Sequence, residues 1–239
     1  MNYKLHLFLS SVFLLFSISI HAQQKPTPKP KEFSVFKIGF CYMPQTTFIS
    51  NSGEKNDPDA NPMWKKGFMT GLTGGNVFNE KISLDFGVLY SKQGVDYGSN
   101  SPFYAPITLS YLKIPITLNY RPFIKHKVPI EFTAGFQYSN LKKAIIDMPS
   151  GYYLPGSDMQ WFNKSLFDVV AGVGFNFRLA DKVFMNTKFR ADYSLADPIN
   201  KDYIYNAHGS TGSHWKSDRS SSRNITLGLS IGLEYHFEK

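Results

Sequence analysis

The chain ends on Asn224-Ile225-Thr226-Leu227-Gly228-Leu229-Ser230-Ile231-Gly232-Leu233-Glu234-Tyr235-His236-Phe237, and this stretch decides the fold. Every odd position from Ile225 to Phe237 is apolar or aromatic, and every even one is polar or glycine. A period of two belongs to a β-strand, because successive side chains leave opposite faces of the pleat, whereas a helix repeats every 3.6 residues. Strands of soluble sheets run to about five or six residues, while a tilted strand crossing a bilayer needs about 9–11. The length and alternation of this segment predict the closing strand of a transmembrane barrel.

The opposite end carries an export signal. Lys4 supplies a basic start, Leu5 to Ile20 a largely apolar run, and Ile20-His21-Ala22 a small-residue cleavage site. The run is too short for a spanning helix and no basic stop-transfer cluster follows it, so residues 1–22 read as a cleaved signal peptide. Gln23 to Glu32 (QQKPTPKPKE) follows. Its prolines favour extended polyproline geometry and deny sheet pairing, which makes residues 23–32 a Pro/Lys-rich periplasmic tether. Residues 33–239 remain for one barrel domain. Cys41 is the only cysteine, so no internal disulfide holds the exported protein together.

No later segment approaches the roughly eighteen consecutive apolar residues of a spanning helix. A mean hydropathy of −0.25 does not argue against a membrane barrel, whose strands hide an apolar half in alternation. The formal charge of +8 falls by one when Lys4 leaves with the leader. The basic residues are scattered over loops, turns and alternating strand positions rather than gathered on one face, which speaks against nucleic-acid binding.

Eight strands are expected: Phe33 to Met43, Lys66 to Phe78, Lys81 to Gln93, Ile107 to Arg121, Val128 to Ser139, Ser165 to Leu179, Lys182 to Leu195, and the closing Asn224 to Phe237. Their connections alternate long and short, beginning and ending long. That pattern predicts an all-β, eight-stranded antiparallel up-and-down transmembrane β-barrel, since outer-membrane barrels have short periplasmic turns and longer extracellular loops. Both termini then lie in the periplasm. Two strands resist a simple reading. The strand from Lys66 is glycine-rich and shows no facing, and Ile107 and Leu109 are out of phase with Leu112, Ile114 and Ile116, which either a β-bulge near Tyr111 or a first part rising above the membrane would account for.

Membrane and soluble barrels differ at their interfaces. The expected directions bring Tyr42, Tyr90, Tyr138 and Tyr193 toward the outer ends of the apolar face, and Phe78, Tyr120, Phe177 and Phe237 toward the periplasmic ends. Two aromatic girdles flanking an apolar band mark a membrane barrel, with outer-membrane lipid as its surroundings. The opposite face sends Lys37, Asp85, Lys113, Glu131, Asp168, Arg178, Lys188, Arg190, Asp192 and Glu234 into the lumen. An eight-stranded barrel is only wide enough for side chains to fill it. Charges of both signs in that space are expected to pair into a polar plug rather than line a pore.

Sites of chemistry are weaker. His208 and His214 share loop 196–222 with several serines and Asp218. A nucleophilic set at the membrane surface could draw on them, but it needs a base held within hydrogen-bond reach, and loop sequence without fixed spacing does not supply one. His126 falls in a turn and His236 faces the lumen near the rim. Asn56-Asp57-Pro58-Asp59-Ala60-Asn61 resembles the start of a calcium loop, yet Pro62 stands where glycine is needed and no spaced glutamate follows. Phosphate-loop, dinucleotide and zinc spacings are all missing. No catalytic residue, metal or cofactor is assigned. The aromatic tips Phe103-Tyr104, Tyr152-Tyr153 and Tyr203-Ile204-Tyr205 suit contact with a partner, bracing of the loops, or lipid headgroups.

The segment Tyr111-Leu112-Lys113-Ile114-Pro115-Ile116-Thr117-Leu118-Asn119-Tyr120-Arg121 resembles the Ile-Pro strand of the PorT-like outer-membrane β-barrel family. The leader ending at Ala22-Gln23 and the final Gly232 to Phe237 are similar too. The resemblance implies an eight-stranded outer-membrane barrel of mostly unassigned function; the residues themselves favour a non-enzymatic barrel whose four extracellular loops serve structure, binding or adhesion. The resemblance also implies an alternative role as an accessory factor in type IX-like secretion or envelope assembly, with envelope or secretion proteins as partners. A third alternative is a lipid-modifying enzyme with its site in loop 196–222.

Overall fold

The computed structural model describes residues 35–51, 62–97, 105–122, 130–147, 158–200 and 221–237. The signal peptide, the tether, the cluster Asn56 to Asn61, the aromatic tips, His126, His208 and His214 lie outside the described residues. Eight strands are formed: β1 Val35–Asn51, β2 Pro62–Val77, β3 Ile82–Tyr97, β4 Ile107–Tyr120, β5 Ile130–Ile146, β6 Ser165–Arg178, β7 Val183–Ser194 and β8 Ser222–Phe237. Each pairs antiparallel with the next, and β8 pairs back on β1 to close the barrel. The seam runs from Phe36 opposite Phe237 to Asn51 opposite Ser222, so the alternating C-terminal segment does supply the closing strand. Closure leaves no unpaired strand edge.

The register fixes the size of the barrel. Followed once round from Lys37 through Gly75, Asp85, Thr117, Gly135, Val170, Asp192 and Thr226, it returns to β1 at Thr47, a stagger of ten residues. With usual strand spacings this gives a tilt of about 41° and a backbone radius of roughly 8 Å.

The faces follow the alternation. On β1, Phe36, Ile38, Phe40 and Tyr42 are exposed outward while Lys37, Cys41, Met43 and Gln45 are buried inside. On β8, Leu229, Ile231, Leu233, Tyr235 and Phe237 point out and Gly232 and Glu234 point in. The facing of β2 is now defined: Leu72 is outward, Met69 and Val77 inward.

Four strands run further toward the loop end than their side-chain patterns suggest. β1 continues past Met43 to Asn51, β2 begins at Pro62, β3 reaches Tyr97 and β5 reaches Ile146. Backbone pairing extends them. Phe48 to Asn51, for example, are held in register by Ile225 to Ser222 of β8, whatever their hydrophobic pattern.

The β4–β5 register does shift between Ser110 and Tyr111, but the extra residue is not on β4. β4 keeps one unbroken register against β3 from Tyr120 to Ile107. The irregularity lies on β5, where Lys142 is the extra residue: Ser110 opposes Lys143 and Tyr111 opposes Leu141. Leu109 and Tyr111 therefore face inward together with Lys113. They join Ile49, Val95, Leu141 and Leu166 in an apolar core inside the loop end. A short 3-10 helix, Asp158–Trp161, and the bridge between Phe162 and Ile199 add Trp161, Phe162 and Ile199 to this plug.

A second irregularity separates Trp64 and Phe68 on β2, facing Gly94 of β3. Gly94 has φ +154°, and a Cβ there would stand 2.0 Å from the carbonyl oxygen of Ile107. The Thr47 hydroxyl pins it, accepting from the Gly94 N–H at 2.8 Å and donating to its carbonyl at 2.9 Å. Gly94→Ala is expected to cost about 1–3 kcal/mol through backbone strain alone, more if the ladder to β4 gives way, read as a lower urea midpoint of the refolded barrel. Gly87→Ala, at normal φ, is the comparison and should lose less.

Candidate functional site

The barrel interior collects most of the charges that alternation sends inward, and it arranges them in two tiers. Near the turn end, Lys37 of β1 lies 2.9 Å from Asp85 of β3 and 3.2 Å from Glu234 of β8. Lys188 of β7 lies 2.6 Å from Glu131 of β5 and 3.9 Å from Asp85. Asn186 donates to Glu234 at 2.6 Å. Each carboxylate is thus reached from other strands, so the tier cross-links the wall as well as neutralising it.

The second tier lies further toward the loops. Lys113 of β4 is 3.2 Å from Asp192 and 3.9 Å from Asp168. Arg190 holds Asp192 at 2.7 Å and donates to the Gln137 side-chain oxygen at 2.5 Å. Gln137 and Ser139 then donate to Asp168 at 2.8 and 2.6 Å. Burial makes this pairing obligatory: Lys113 is 1% exposed and Glu131 1%, and an ion of either sign left alone there would lose its hydration without replacement.

Arg178 does not join them. It shares the inward parity of β6 but is the strand's last residue, so its side chain leaves the barrel and pairs with Asp181 of the turn at 3.0 Å. Its place is taken by Arg121, which lies just past β4 and reaches Glu131 at 2.7 Å. The signal for Arg121 was there in the odd parity it shares with Lys113. Among the described residues the two tiers then hold five cations, Lys37, Lys113, Arg121, Lys188 and Arg190, against five carboxylates, Asp85, Glu131, Asp168, Asp192 and Glu234. His236 stands at the rim, 3.4 Å from Glu234 and stacked on Phe184.

Small residues make room for the long ones. A Cβ on Gly75 would lie 2.5 Å from the Leu84 carbonyl oxygen and 2.7 Å from the Asp85 carboxylate, where the Lys37 pair now sits. Cys41, Met43, Met69 and Leu89 fill the β1–β3 wall between the tiers. Beside them lies a cavity of about 60 Å³ bordered by Lys188, Arg190, Cys41 and Asp85. That is room for a few water molecules. Among the described residues no group of His, Cys, Asp and Glu is placed to hold a metal ion.

On the outer surface Tyr42, Tyr90 and Tyr193 are exposed, as are Phe78, Tyr120 and Phe237. Tyr138 is half-buried, its hydroxyl 2.9 Å from that of Ser165, and Phe177 packs on Phe175. At the tilt given above, Tyr90, Tyr138 and Tyr193 share about one level, Tyr42 stands roughly 8 Å lower, and the second set lies roughly 22 Å below the first. The wall between them is the apolar belt: Phe40, Leu72, Val88, Ile116, Phe136, Phe189 and Leu233 are all about half exposed or more.

A closed barrel with a paired polar interior and an apolar outer belt matches one family. The model of the outer membrane protein beta-barrel domain fits residues 10–237. The chain belongs to that family. It is therefore an integral outer-membrane protein, and the family shown is broader than the PorT-like one suggested by Tyr111 to Arg121. Solved structures are similar to this chain at low identity. Neisserial surface protein A is 18% identical over 84% of this chain and 97% of its own, with a TM-score of 0.49. OprG of Pseudomonas aeruginosa is 14% identical over 87% and 98%, at 0.46. Ail of Yersinia pestis is 13% identical over 85% and 99%, at 0.41. No curated protein matches the chain.

For this outer-membrane barrel, Glu131→Leu should leave Arg121 unpaired and Lys188 with only the longer carboxylate contact, to Asp85, and cost about 3–5 kcal/mol. Arg178→Gln, at the exposed rim, should leave the same urea midpoint unchanged. Equal midpoints for the two variants would show that the inner tiers do not hold the barrel.

Proposed function

We propose that this protein is a non-conducting, non-enzymatic outer-membrane barrel that works by presenting its loop end to binding partners. Its short turns and both termini face the periplasm. The observation that carries the reading is the filled interior. Two tiers of paired charge occupy the lumen and an apolar plug, 0% exposed at Tyr111 and Leu109, seals it beneath the loops. A pore of this strand number has no space left for a hydrated ion. The connections 52–61, 98–106, 147–164 and 195–221, nine to 27 residues long, leave from the end that carries the plug, and 78–81, 121–129 and 179–182, four to nine residues long, leave from the other. This matches the usual division between extracellular loops and periplasmic turns.

The accessory-factor reading draws on the strand from Tyr111 to Arg121. Here Tyr111 closes the plug, Lys113 pairs with Asp192, and Arg121 pairs with Glu131. The motif has a structural use that requires no secretion partner.

Planar bilayers containing the refolded protein should show no stepwise conductance in molar salt. Reproducible steps would overturn the reading. Orientation can be read separately. Cys41 is buried, so Ser210→Cys should be the position labelled by a membrane-impermeant maleimide on whole cells. A cysteine added after Lys239 should stay unlabelled until the envelope is opened.

A further inference from the structure

The bulge on β5 has an effect outside the barrel as well as inside. Lys142 and Lys143 are consecutive and both exposed, flanked by the inward Leu141 and Ala144. In a regular strand one of two neighbours must face the interior, and an inserted residue at a bulge removes that requirement. Both ammonium groups therefore project from the outer wall. On the turn side of them, Tyr138 packs on Phe167 across β5 and β6, with ring centres 5.5 Å apart.

The same arrangement recurs on the β1–β3 wall. Tyr42, Phe68 and Tyr90 form a row, with ring centres 6.4 and 6.0 Å apart. Lys92 is registered opposite Phe68, and Lys66 lies two residues further toward the loop end on the same outward parity. Both are exposed.

These four lysines make no ion pair with any described residue, in contrast to the interior, where the cations are paired. The nearby acids are otherwise placed: Asp96 pairs with Lys65, and Asp147 lies past the end of β5, where its N–H bonds the Pro106 carbonyl. Two adjacent ammonium groups just beyond an aromatic row, at the edge of an apolar belt, complement a doubly charged headgroup whose acyl chains lie against the rings. A phosphate monoester carries about −1.5 to −2 at neutral pH, which two lysines match and a single carboxylate does not.

We propose that Lys142–Lys143 and Lys66–Lys92 are two binding sites for the phosphate groups of a phosphorylated glycolipid in the surrounding leaflet. The glycolipid's chains pack on Tyr138–Phe167 and on Tyr42–Phe68–Tyr90. This rests on the reading that the loop end stands at a membrane interface.

The test uses the refolded full-length protein immobilised in phosphatidylcholine micelles, with radiolabelled diphosphorylated lipid A or its dephosphorylated form as probe. Micelles have no sidedness, so a failed orientation experiment leaves this result standing on its own. Wild type should retain the diphosphorylated form preferentially. K142Q/K143Q and K66Q/K92Q should each lose one of the two sites and so retain roughly half as much, and K142R/K143R should bind as wild type. The preference should fade in half-molar salt as the charges are screened. Equal retention of the two lipids would overturn the proposal. So would wild-type retention by K66Q/K92Q/K142Q/K143Q with its heat-modifiable gel mobility intact.

Discussion

The β8–β1 ladder closes with a stagger of ten residues, and that one geometric condition governs the interior. Eight strands at this stagger enclose a cylinder of roughly 8 Å backbone radius, too narrow for bulk water and too wide to be left empty. Side chains from opposite walls must therefore meet. Polar ones that meet must satisfy each other, since the wall offers no spare backbone donors once its ladders are complete. Lys37 can reach Asp85 two strands away and Glu234 across the seam only because closure brings β1, β3 and β8 within one side-chain length. If β8 were not paired to β1, Glu234 would face open solvent and Lys37 would lose half its neutralisation.

The interior divides along the axis for a related reason. Within the belt, the wall's outward face must be apolar, so alternation sends the polar residues inward and produces the two charged tiers. Above the tyrosine level that demand lifts. β4 and β5 can then turn Leu109, Tyr111 and Leu141 inward, and the short helix ending at Trp161 can cover them. The loop end is thus built like the core of a soluble protein and the belt like its inverse. Both arise from one backbone ladder, without a domain boundary between them.

How much of this could be read from the residues alone depends on which force sets each feature. β8 and β6 alternate cleanly, as does β5 up to Leu141, because lipid and lumen act on them from both sides, and their facings were legible. β2 was not, because Gly71 and Gly75 occupy inward positions whose space belongs to Leu89 and to the Lys37–Asp85 pair. A glycine chosen for a neighbour's bulk carries no facing signal of its own. The extension of β1 to Asn51 was hidden because register with β8, a non-local property, determines it. Arg178 and Arg121 were exchanged for a similar reason. Parity tells which face a residue takes, but whether the barrel still surrounds it at that height depends on tilt and stagger, which no single strand contains.

The bulge at Lys142 joins these two levels of description. Without it, Leu141 and Ala144 could not both pack inward, since three positions separate them and strict alternation would place one outside. The apolar plug therefore requires an irregular β5, and an irregular β5 leaves two consecutive residues facing out. What occupies those two positions is free of any packing demand from the interior. Lysine at both, beside the Tyr138–Phe167 pair, is thus a choice made by the surface, and the surface at that height meets the boundary between lipid chains and their headgroups.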